Sequence, residues 1–162
     1  METAFSQFRS LPKEERYATV TPMIEGLTID EDDPVSMLAN IAAALKEAFD
    51  FFWVGFYLAR NEQLHLGPFQ GPVACTRINR GKGVCGTAWE KATTLVVPDV
   101  EEFPGHIACS SFSKSEIVVP IIAEGVVLGV LDIDSAELAT FDATDQQWLE
   151  RLCATIAQTR IL

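Results

Sequence analysis

Apolar residues recur at helical spacing in three segments of the chain, and each segment predicts a helix. The first runs from Leu11 to Leu27. The second begins after Asp33, which can cap it, and has Pro34 at its first helical position. The third begins after Asp142 and has Asp145 at its third position, so that both carboxylates can satisfy the free N–H groups of the first turn.

Runs of β-branched and aromatic residues predict five strands between the second and the third helix. They span Phe51–Leu58, Gln63–Leu66, Leu95–Val97, Glu116–Ala123 and Val126–Asp134. The first two are close enough to form a hairpin, and so are the last two.

The middle of the chain is rich in Gly, Pro and Ser, and it is predicted to be irregular apart from one short helix. Loops are expected over Gly67–Pro72 and Glu101–Ser115, and the short helix over Val84–Lys91. The order of elements predicts an α+β domain, with an antiparallel β-sheet, helices packed on one face and a loop-rich side. Such loops are where binding and catalytic residues concentrate.

Charge and length narrow the function further. The 162 residues are expected to form a single domain spanning 1–162, with a formal net charge of −11. That charge disfavours nucleic acids and anionic membrane surfaces as partners. The start of the chain is polar, and the longest apolar run, Ile117–Ala123, is too short to span a bilayer. The expected compartment is therefore the cytoplasm.

Four cysteines are the first candidates for chemistry. Cys153 lies on the apolar stripe of the last helix, so it is interpreted as a core residue. Cys75, Cys85 and Cys109 lie among Gly, Ser, Thr and Pro in the predicted loops or at their ends. In a secreted chain, four cysteines would indicate a disulfide framework. In a cytoplasmic chain, three interpretations remain: reduced core thiols, metal ligands and redox-active thiols.

A zinc site could be built from His106 together with the three loop cysteines. No C-x-x-C pair is present, and that pair is the usual mark of a structural zinc site, which disfavours this alternative. A redox site needs a thiolate nucleophile and a second thiol that closes a disulfide. Cys109 is the candidate nucleophile, and the spacing alone does not say whether Cys75 or Cys85 is its partner.

A group of carboxylates is the second candidate. Asp132 and Asp134 are two apart on a strand and therefore point to the same face. A two-residue turn would pair Glu116 with Ile133, on the other face. We expect instead a three-residue loop, Ala123–Gly125, whose glycine is left-handed, so that Glu116 pairs with Asp132.

Three crowded carboxyl groups cannot all remain ionised, so one of them is expected to have a raised pKa and to hold a proton near neutrality. Breaking a sulfur–oxygen bond requires such a proton, and the remaining negative charge suits a substrate ammonium. A plain solvated strand edge is the alternative interpretation of the same residues.

Several segments carry a family resemblance when they are taken together and in order. They are Trp53–Tyr57, Gly67–Cys75, Gly81–Trp89, Phe103–Cys109, Ser115–Pro120 and Gly129–Ser135. Together they closely resemble the free methionine-(R)-sulfoxide reductases, a family of GAF-domain oxidoreductases. The resemblance covers the chain roughly from Asp33 to the end.

The resemblance implies a role for each candidate cysteine. Cys109 would attack the sulfoxide sulfur, release methionine and become a sulfenic acid. Cys75 would resolve the sulfenic acid as a disulfide, and Cys85 would assist or act as a second resolving thiol. Thioredoxin would reduce the disulfide, with no cofactor and no metal, in an enzyme of the oxidative stress response that works as a homodimer.

The resemblance also implies how the substrate is held. Glu116, Asp132 and Asp134 would bind the polarised sulfoxide and the amino group of free methionine-(R)-sulfoxide. Trp53 and Tyr57 would form an apolar wall for its methyl end. The alternative from another class is a GAF sensor that binds a small ligand or a redox signal without turnover, because one fold hosts many functions.

Overall fold

The computed structural model describes residues 3–107, 109 and 111–162, and within them six strands form one antiparallel sheet. The strands are β1 (Trp53–Arg60), β2 (Gln63–Gln70), β3 (Arg77–Asn79), β4 (Leu95–Val97), β5 (Ser115–Ala123) and β6 (Val126–Ser135). Their order across the sheet is β3-β2-β1-β6-β5-β4. The two central strands, β1 and β6, pair with each other over Trp53–Leu58.

The same described residues contain four α-helices, namely α1 (Lys13–Glu25), α2 (Pro34–Phe49), α3 (Gly83–Lys91) and α4 (Ala143–Gln158). Helix α2 begins as predicted, because the Asp33 carboxylate accepts a hydrogen bond from the Ser36 N–H at 2.7 Å. Asp142 and Asp145 cap the first turn of α4 reciprocally, which confirms the predicted start. Helix α1 ends two residues before the predicted Leu27, and a short 3₁₀ turn follows it.

Three long helices cover one face of the sheet, and the main apolar core lies between them and the strands. Helix α2 contributes Met37, Leu38, Ile41, Ala42, Ala44, Leu45 and Ala48, and the sheet contributes Val54, Phe56, Ile117, Val119, Ile121, Leu131 and Ile133. Cys153 of α4 is buried in this core, as predicted. The core anchors β1, β5 and β6 rigidly, so that the side chains on their opposite face are held in place.

The opposite face carries the short helix α3 and the loops. A second apolar cluster lies there, formed by Trp53, Tyr57, Leu64, Ile78, Val84, Cys85, Ala88, Trp89, Val97, Val100, Val118 and Val130. The predicted fold class, an antiparallel sheet with helices on one face and a loop-rich side, is confirmed. None of the helices in the described part of the chain has the length and apolar character of a membrane span.

The sheet extends further than the sequence predicted. The loop expected at Gly67–Pro72 is strand up to Gln70, because two residues of β2, Gly67 and Pro68, form a bulge opposite Phe56. A bulge is where a strand tolerates a proline, since no ladder hydrogen bond is lost there. The edge strand β3 was also not predicted; its three residues are too few for a clear alternating pattern.

Candidate active site

The register between β5 and β6 brings three carboxyl groups onto the loop-rich face. The predicted pairing of Glu116 with Asp132 is wrong, because Glu116 lies opposite Asp134. The turn is a two-residue one, Glu124–Gly125, with both φ angles positive, +52° and +78°. One extra residue in β6, Leu128, forms a bulge that returns Glu116 to the face of both aspartates.

Strand β1 completes the floor of the site beside β6. Trp53 lies opposite Asp134, and Gly55 lies opposite Asp132. A side chain at Gly55 would meet the Cα of Phe69 at 2.9 Å, so only glycine fits between β1 and β2 at this point. The Trp53 and Tyr57 rings flank the glycine at a centroid distance of 6.0 Å and form a continuous aromatic surface.

The same two aromatic residues hold the segment that carries the first cysteine. The Trp53 indole N–H donates to the carbonyl oxygen of Pro72 at 3.1 Å. The Tyr57 hydroxyl donates to the carbonyl oxygen of Cys75 at 2.9 Å. Burial raises the pKa of the Tyr57 hydroxyl, so it remains a donor over the whole physiological range.

A disulfide joins Cys75 and Cys109, which are 34 residues apart in the sequence and 5.6 Å apart between Cα atoms. Cys109 is exposed and Cys75 is partly buried. Cys85, in the first turn of α3, is a free buried thiol. The structure therefore settles which loop cysteines are paired, a point that spacing had left open.

Two buried ionisable side chains of the site, Cys85 and Glu116, lie in contact with each other. The Cys85 Sγ lies 3.9 Å from Oε1 of Glu116. Burial raises the pKa of Glu116 well above its ordinary value, and the charges of Asp132 and Asp134 raise it further. Burial also raises the pKa of the Cys85 thiol, with a further contribution from the same carboxylates. Glu116 therefore keeps its proton to a higher pH than an exposed glutamate does.

The two aspartates differ in their surroundings. Asp132 is only 6% exposed, its pKa is raised by burial, and a hydrogen bond with Glu116 opposes that rise. Its Oδ1 has no hydrogen-bond partner within the described part of the chain. Asp134 is less buried; loss of hydration and the charge of Asp132 raise its pKa, and a hydrogen bond from Ser113 opposes the rise. An unpaired buried carboxylate oxygen is costly, so this cavity is suited to a ligand with a positively charged donor.

These groups line one cleft of about 590 Å³, counted with the open space at its mouth. All eight residues predicted to form the site belong to it or to its immediate wall. Cys75 is bonded to Cys109 at its rim, and the others line it directly: Trp53, Tyr57, Cys85, Cys109, Glu116, Asp132 and Asp134.

Further residues that were not predicted as site residues also line the cleft, and they include Phe52, Lys82, His106 and Ser113. His106 Nε2 lies 4.0 Å from Oε2 of Glu116, and burial lowers the pKa of its imidazole. Its position three residues before Cys109 was the available sequence signal. For Lys82 the signal was its place immediately before the short helix that carries Cys85.

The possibilities for a metal are limited by these contacts. The zinc site considered in the sequence analysis, with His106 and the three loop cysteines, needs the sulfurs of Cys75 and Cys109. In this structure those two sulfurs are bonded to each other. One group within the described residues has three donor atoms within 4.8 Å of one another, namely Cys85, Glu116 and Asp132. Burial raises the pKa values of Cys85 and Glu116, and each of them has to lose its proton before it can act as a metal ligand.

The fold and the cleft define a class: a GAF domain with a cysteine pair at the mouth of an acidic pocket. The sequence model of the GAF domain family matches residues 31–159, so the chain belongs to that family. Within it, the chain belongs to the free methionine-R-sulfoxide reductases.

Relatives and solved structures support this placement. A free methionine-R-sulfoxide reductase of Saccharomyces cerevisiae is 44% identical over 156 residues, which cover 91% of this chain and 87% of the relative. GAF domain-containing protein A of Dictyostelium discoideum is 59% identical over 86% of this chain and 89% of its own length. The X-ray structure of a free methionine-R-sulfoxide reductase from Neisseria meningitidis in complex with its substrate superimposes with a TM-score of 0.93. It has 52% identity and covers 98% of this chain and 95% of that one.

Proposed function

We propose that this protein reduces free L-methionine-(R)-sulfoxide to L-methionine through a cysteine sulfenic acid and an intramolecular disulfide. The observation that carries the proposal is the Cys75–Cys109 disulfide at the rim of a cleft whose floor holds buried carboxyl groups with raised pKa values. The names of the yeast relative and of the Neisseria structure support the same activity and the same substrate.

In the first step the oxygen atom moves from the substrate to the enzyme. The sulfur of Cys109 attacks the sulfoxide sulfur, the sulfur–oxygen bond breaks, and the oxygen ends on Cys109 as a sulfenic acid. The substrate sulfur is reduced by two electrons and methionine leaves, while the sulfur of Cys109 is oxidised by two electrons. The exposure of Cys109 at the mouth of the cleft supports it as the attacking residue.

The departing oxygen needs a proton, and Glu116 is the residue that we assign to supply it. The pKa of Glu116 is raised by burial and by two neighbouring aspartates, so it holds a proton at a pH where an exposed glutamate does not. Asp132, whose Oδ1 has no hydrogen-bond partner among the described residues, and Asp134 then bind the ammonium of the amino acid. Trp53 and Tyr57 form the apolar wall for the methyl end of the substrate.

In the second step the thiol of Cys75 attacks the sulfenic acid, a sulfur–sulfur bond forms, and water leaves. Cys85 is buried beneath the site and contacts Glu116, which favours a role in the proton network over a role as resolving thiol.

In the third step an external dithiol reduces the Cys75–Cys109 disulfide and itself becomes a disulfide. We propose thioredoxin for this reaction, and the exposure of Cys109 supports access by a protein reductant. We also propose that the enzyme works in the cytoplasm as a homodimer. Sedimentation of the purified protein tests the dimer.

The test of the function is turnover on three substrates with thioredoxin, thioredoxin reductase and NADPH. The substrates are free L-methionine-(R)-sulfoxide, its S epimer and a peptide-bound sulfoxide. Wild type is compared with Cys109→Ser and with Cys153→Ala, which removes a cysteine of the helical core and leaves the cleft intact. We expect turnover of the free R epimer alone, abolished in Cys109→Ser and retained in Cys153→Ala.

Each other result has a defined meaning. Turnover of the S epimer or the peptide would contradict the proposed substrate, and activity in Cys109→Ser would contradict the nucleophile. No turnover of any substrate by the wild type would reject the reductase and leave a GAF domain that senses a ligand or a redox signal.

A further inference from the structure

Exposed apolar side chains flank both halves of the disulfide. Val73, two residues before Cys75, is 89% exposed, and Ile107, two residues before Cys109, is 39% exposed; both line the cleft. Phe112, three residues after Cys109, is 70% exposed. Single exposed apolar residues are common on protein surfaces, whereas a group of them beside a reactive bond indicates contact with another molecule. We refer to Val73, Ile107 and Phe112 as the apolar rim.

Backbone contacts hold Val73 in its exposed position. The carbonyl oxygens of Pro72 and Cys75, on either side of it, accept hydrogen bonds from Trp53 and Tyr57 of β1. Because the segment is tied to the sheet at both points, turning Val73 inward would break these contacts. An apolar side chain held in water in this way gains free energy when a partner covers it.

Ile107 is held on the other side of the disulfide. The N–H of Cys109 donates to the carbonyl oxygen of Ile107 at 3.1 Å, so the two residues share a tight turn. Part of the Ile107 side chain packs against the start of α3, where a Cβ added to Gly83 would lie 3.1 Å from it. The rest of the side chain stays exposed beside the disulfide, on a surface that the fold defines.

The two sulfurs of the disulfide differ in access. Cys109 is exposed, whereas Cys75 is partly buried and anchored by Tyr57. In thiol–disulfide exchange the attacking, central and leaving sulfurs lie nearly in line, so attack from solvent puts the leaving sulfur on the protein side. This geometry makes Cys109 the sulfur that an incoming thiolate meets and Cys75 the leaving group.

We propose that the apolar rim is the docking surface for a protein dithiol reductant of the thioredoxin kind, and that this reductant bonds to Cys109. The inference rests on the proposed function for the place of the disulfide in the catalytic cycle. A surface that covers the rim brings its own thiol to the exposed sulfur between these side chains. A small thiol reaches the same sulfur without covering them, so the rim favours a protein as the reductant.

The exchange then runs in two balanced steps. One thiolate of the reductant attacks the sulfur of Cys109, the Cys75–Cys109 bond breaks, and Cys75 leaves as a thiolate that takes up a proton. The second thiol of the reductant attacks its own sulfur in the mixed disulfide and releases Cys109 as a thiol. The two cysteines gain two electrons and two protons, and the reductant, which loses them, becomes a disulfide.

The experiment compares thioredoxin with dithiothreitol as reductants of the oxidised protein. The variants are Val73→Ser and Phe112→Ser, and Val126→Ser is the matched control. Val126 is 59% exposed beside the turn between β5 and β6, at the opposite end of β6 from Asp134. The disulfide is formed beforehand with diamide, and alkylation of the released thiols followed by mass spectrometry gives the rate constant of reduction.

We expect the rate constant with thioredoxin to fall by about three- to tenfold in Val73→Ser and in Phe112→Ser, because each change removes apolar contact area from the docking surface. The rate constant with dithiothreitol should stay unchanged, since that small dithiol needs no docking. Val126→Ser should leave both rate constants unchanged. Unchanged reduction by thioredoxin in both rim variants, or equal slowing with dithiothreitol, overturns the proposed surface.

A thioredoxin whose second active-site cysteine is replaced by serine identifies the sulfur that is attacked, because it stops at the mixed disulfide. Peptide mapping after alkylation should find thioredoxin bonded to Cys109 and an alkylated Cys75. Thioredoxin bonded to Cys75 would overturn the assignment of the attacked sulfur.

These measurements use no sulfoxide, so they separate this inference from the proposed function. Reduction by thioredoxin that depends on the rim, in a protein without sulfoxide turnover, would reject the reductase and keep the docking surface. Sulfoxide turnover with thioredoxin that does not depend on the rim would keep the reductase and reject the surface. A disulfide that dithiothreitol reduces and thioredoxin does not would reject the surface, whatever the turnover.

Discussion

Tyr57, on a central strand of the sheet, donates a hydrogen bond of 2.9 Å to the backbone carbonyl of Cys75, outside the sheet. The hydroxyl is buried and its pKa is raised, so it does not ionise and the contact persists over the working pH range. This bond connects the rigid floor of the cleft to the residue that we assign as resolving thiol. Tyr57 therefore has two tasks, as part of the apolar wall and as an anchor for the cysteine segment.

Tyr57→Phe separates these two tasks, because phenylalanine keeps the ring and loses the hydroxyl. We expect disulfide formation after a single turnover to slow by about three- to tenfold, the usual effect of one lost hydrogen bond. The release of methionine in the same turnover should change much less. Rapid quenching with a thiol-alkylating reagent measures the disulfide, and chromatography measures methionine.

The matched control is Tyr17→Phe, which removes a buried tyrosine hydroxyl from the helical side of the molecule. It should leave both rates unchanged. Equal slowing of methionine release and disulfide formation in Tyr57→Phe would mean that the hydroxyl serves the oxygen-transfer step.

As the proton donor that we propose, Glu116 should give the activity a pH dependence whose sign follows from its raised pKa. The proton donor is present below that pKa and is lost above it, so the rate of methionine release should fall as pH rises through the alkaline limb. Glu116→Gln should lower this rate by about a hundredfold or more and remove the limb, because an amide cannot supply the proton. Single-turnover measurements between pH 5 and 9, values chosen to span about two units on either side of neutrality, provide the profile.

Glu124→Gln is the control for the change in charge, since Glu124 is exposed in the turn at the far end of the same hairpin. Its profile should match that of the wild type. A limb that persists in Glu116→Gln would assign the titrating group to another residue of the cleft.

The same residue links stability to pH. Because the pKa of Glu116 is higher in the folded protein than its ordinary value, the native state binds more protons than the unfolded state between the two values. The contribution of Glu116 to the free energy of unfolding is therefore largest below the ordinary carboxyl pKa and decreases as pH rises through this interval. In Glu116→Gln the free energy of unfolding, measured by urea titration, should fall less with rising pH than in the wild type. An equal fall in the two proteins would contradict the assignment.

The positions of the acids show what the sequence predicts well and where it does not reach. The alternation along β6 correctly placed Asp132 and Asp134 on one face. The face of Glu116 was predicted correctly for a wrong reason, because the structure combines a two-residue turn with a bulge at Leu128. No residue type marks that bulge, so register in this hairpin was not predictable from local pattern.

The cysteines show a second limit. Cys153 was predictable because helical periodicity reports burial directly. The pairing of Cys75 with Cys109 depends on how two irregular segments meet over the sheet, and periodicity contains no information on that contact. The same holds for His106 and Lys82, which reach the cleft from a loop and from the start of a short helix.

Tyr17 makes a prediction about stability that is independent of the cleft. Its hydroxyl donates to Asp145 at 2.7 Å in a buried site, and Lys13 donates to the other oxygen of the same carboxylate at 2.6 Å. Tyr17→Phe leaves one carboxylate oxygen without its partner, which should lower the free energy of unfolding by about 1 to 3 kcal/mol. Urea unfolding followed by circular dichroism measures the loss.

Glu14→Gln is the comparison for that variant, because Glu14 accepts an exposed hydrogen bond from Trp148 on the same pair of helices. It should change stability by less than about 0.5 kcal/mol. An equal effect of the two variants would show that the buried carboxylate is no more important than the surface contact.

Cys75 and Cys85 can be distinguished by what accumulates after one turnover without reductant. Cys75→Ser should release one methionine and stop at a sulfenic acid on Cys109 that a 1,3-dione reagent traps, because its partner in the disulfide is absent. With thioredoxin its turnover should fall by about tenfold or more, since an intramolecular step is replaced by a bimolecular one.

Cys85→Ser keeps a donor to Glu116 and should still form the Cys75–Cys109 disulfide, whereas Cys85→Ala removes that donor and should slow methionine release. Peptide mapping by mass spectrometry identifies each species. A Cys85–Cys109 disulfide in Cys75→Ser with undiminished turnover would instead make Cys85 a competent resolving thiol and assign its burial to the oxidised state alone.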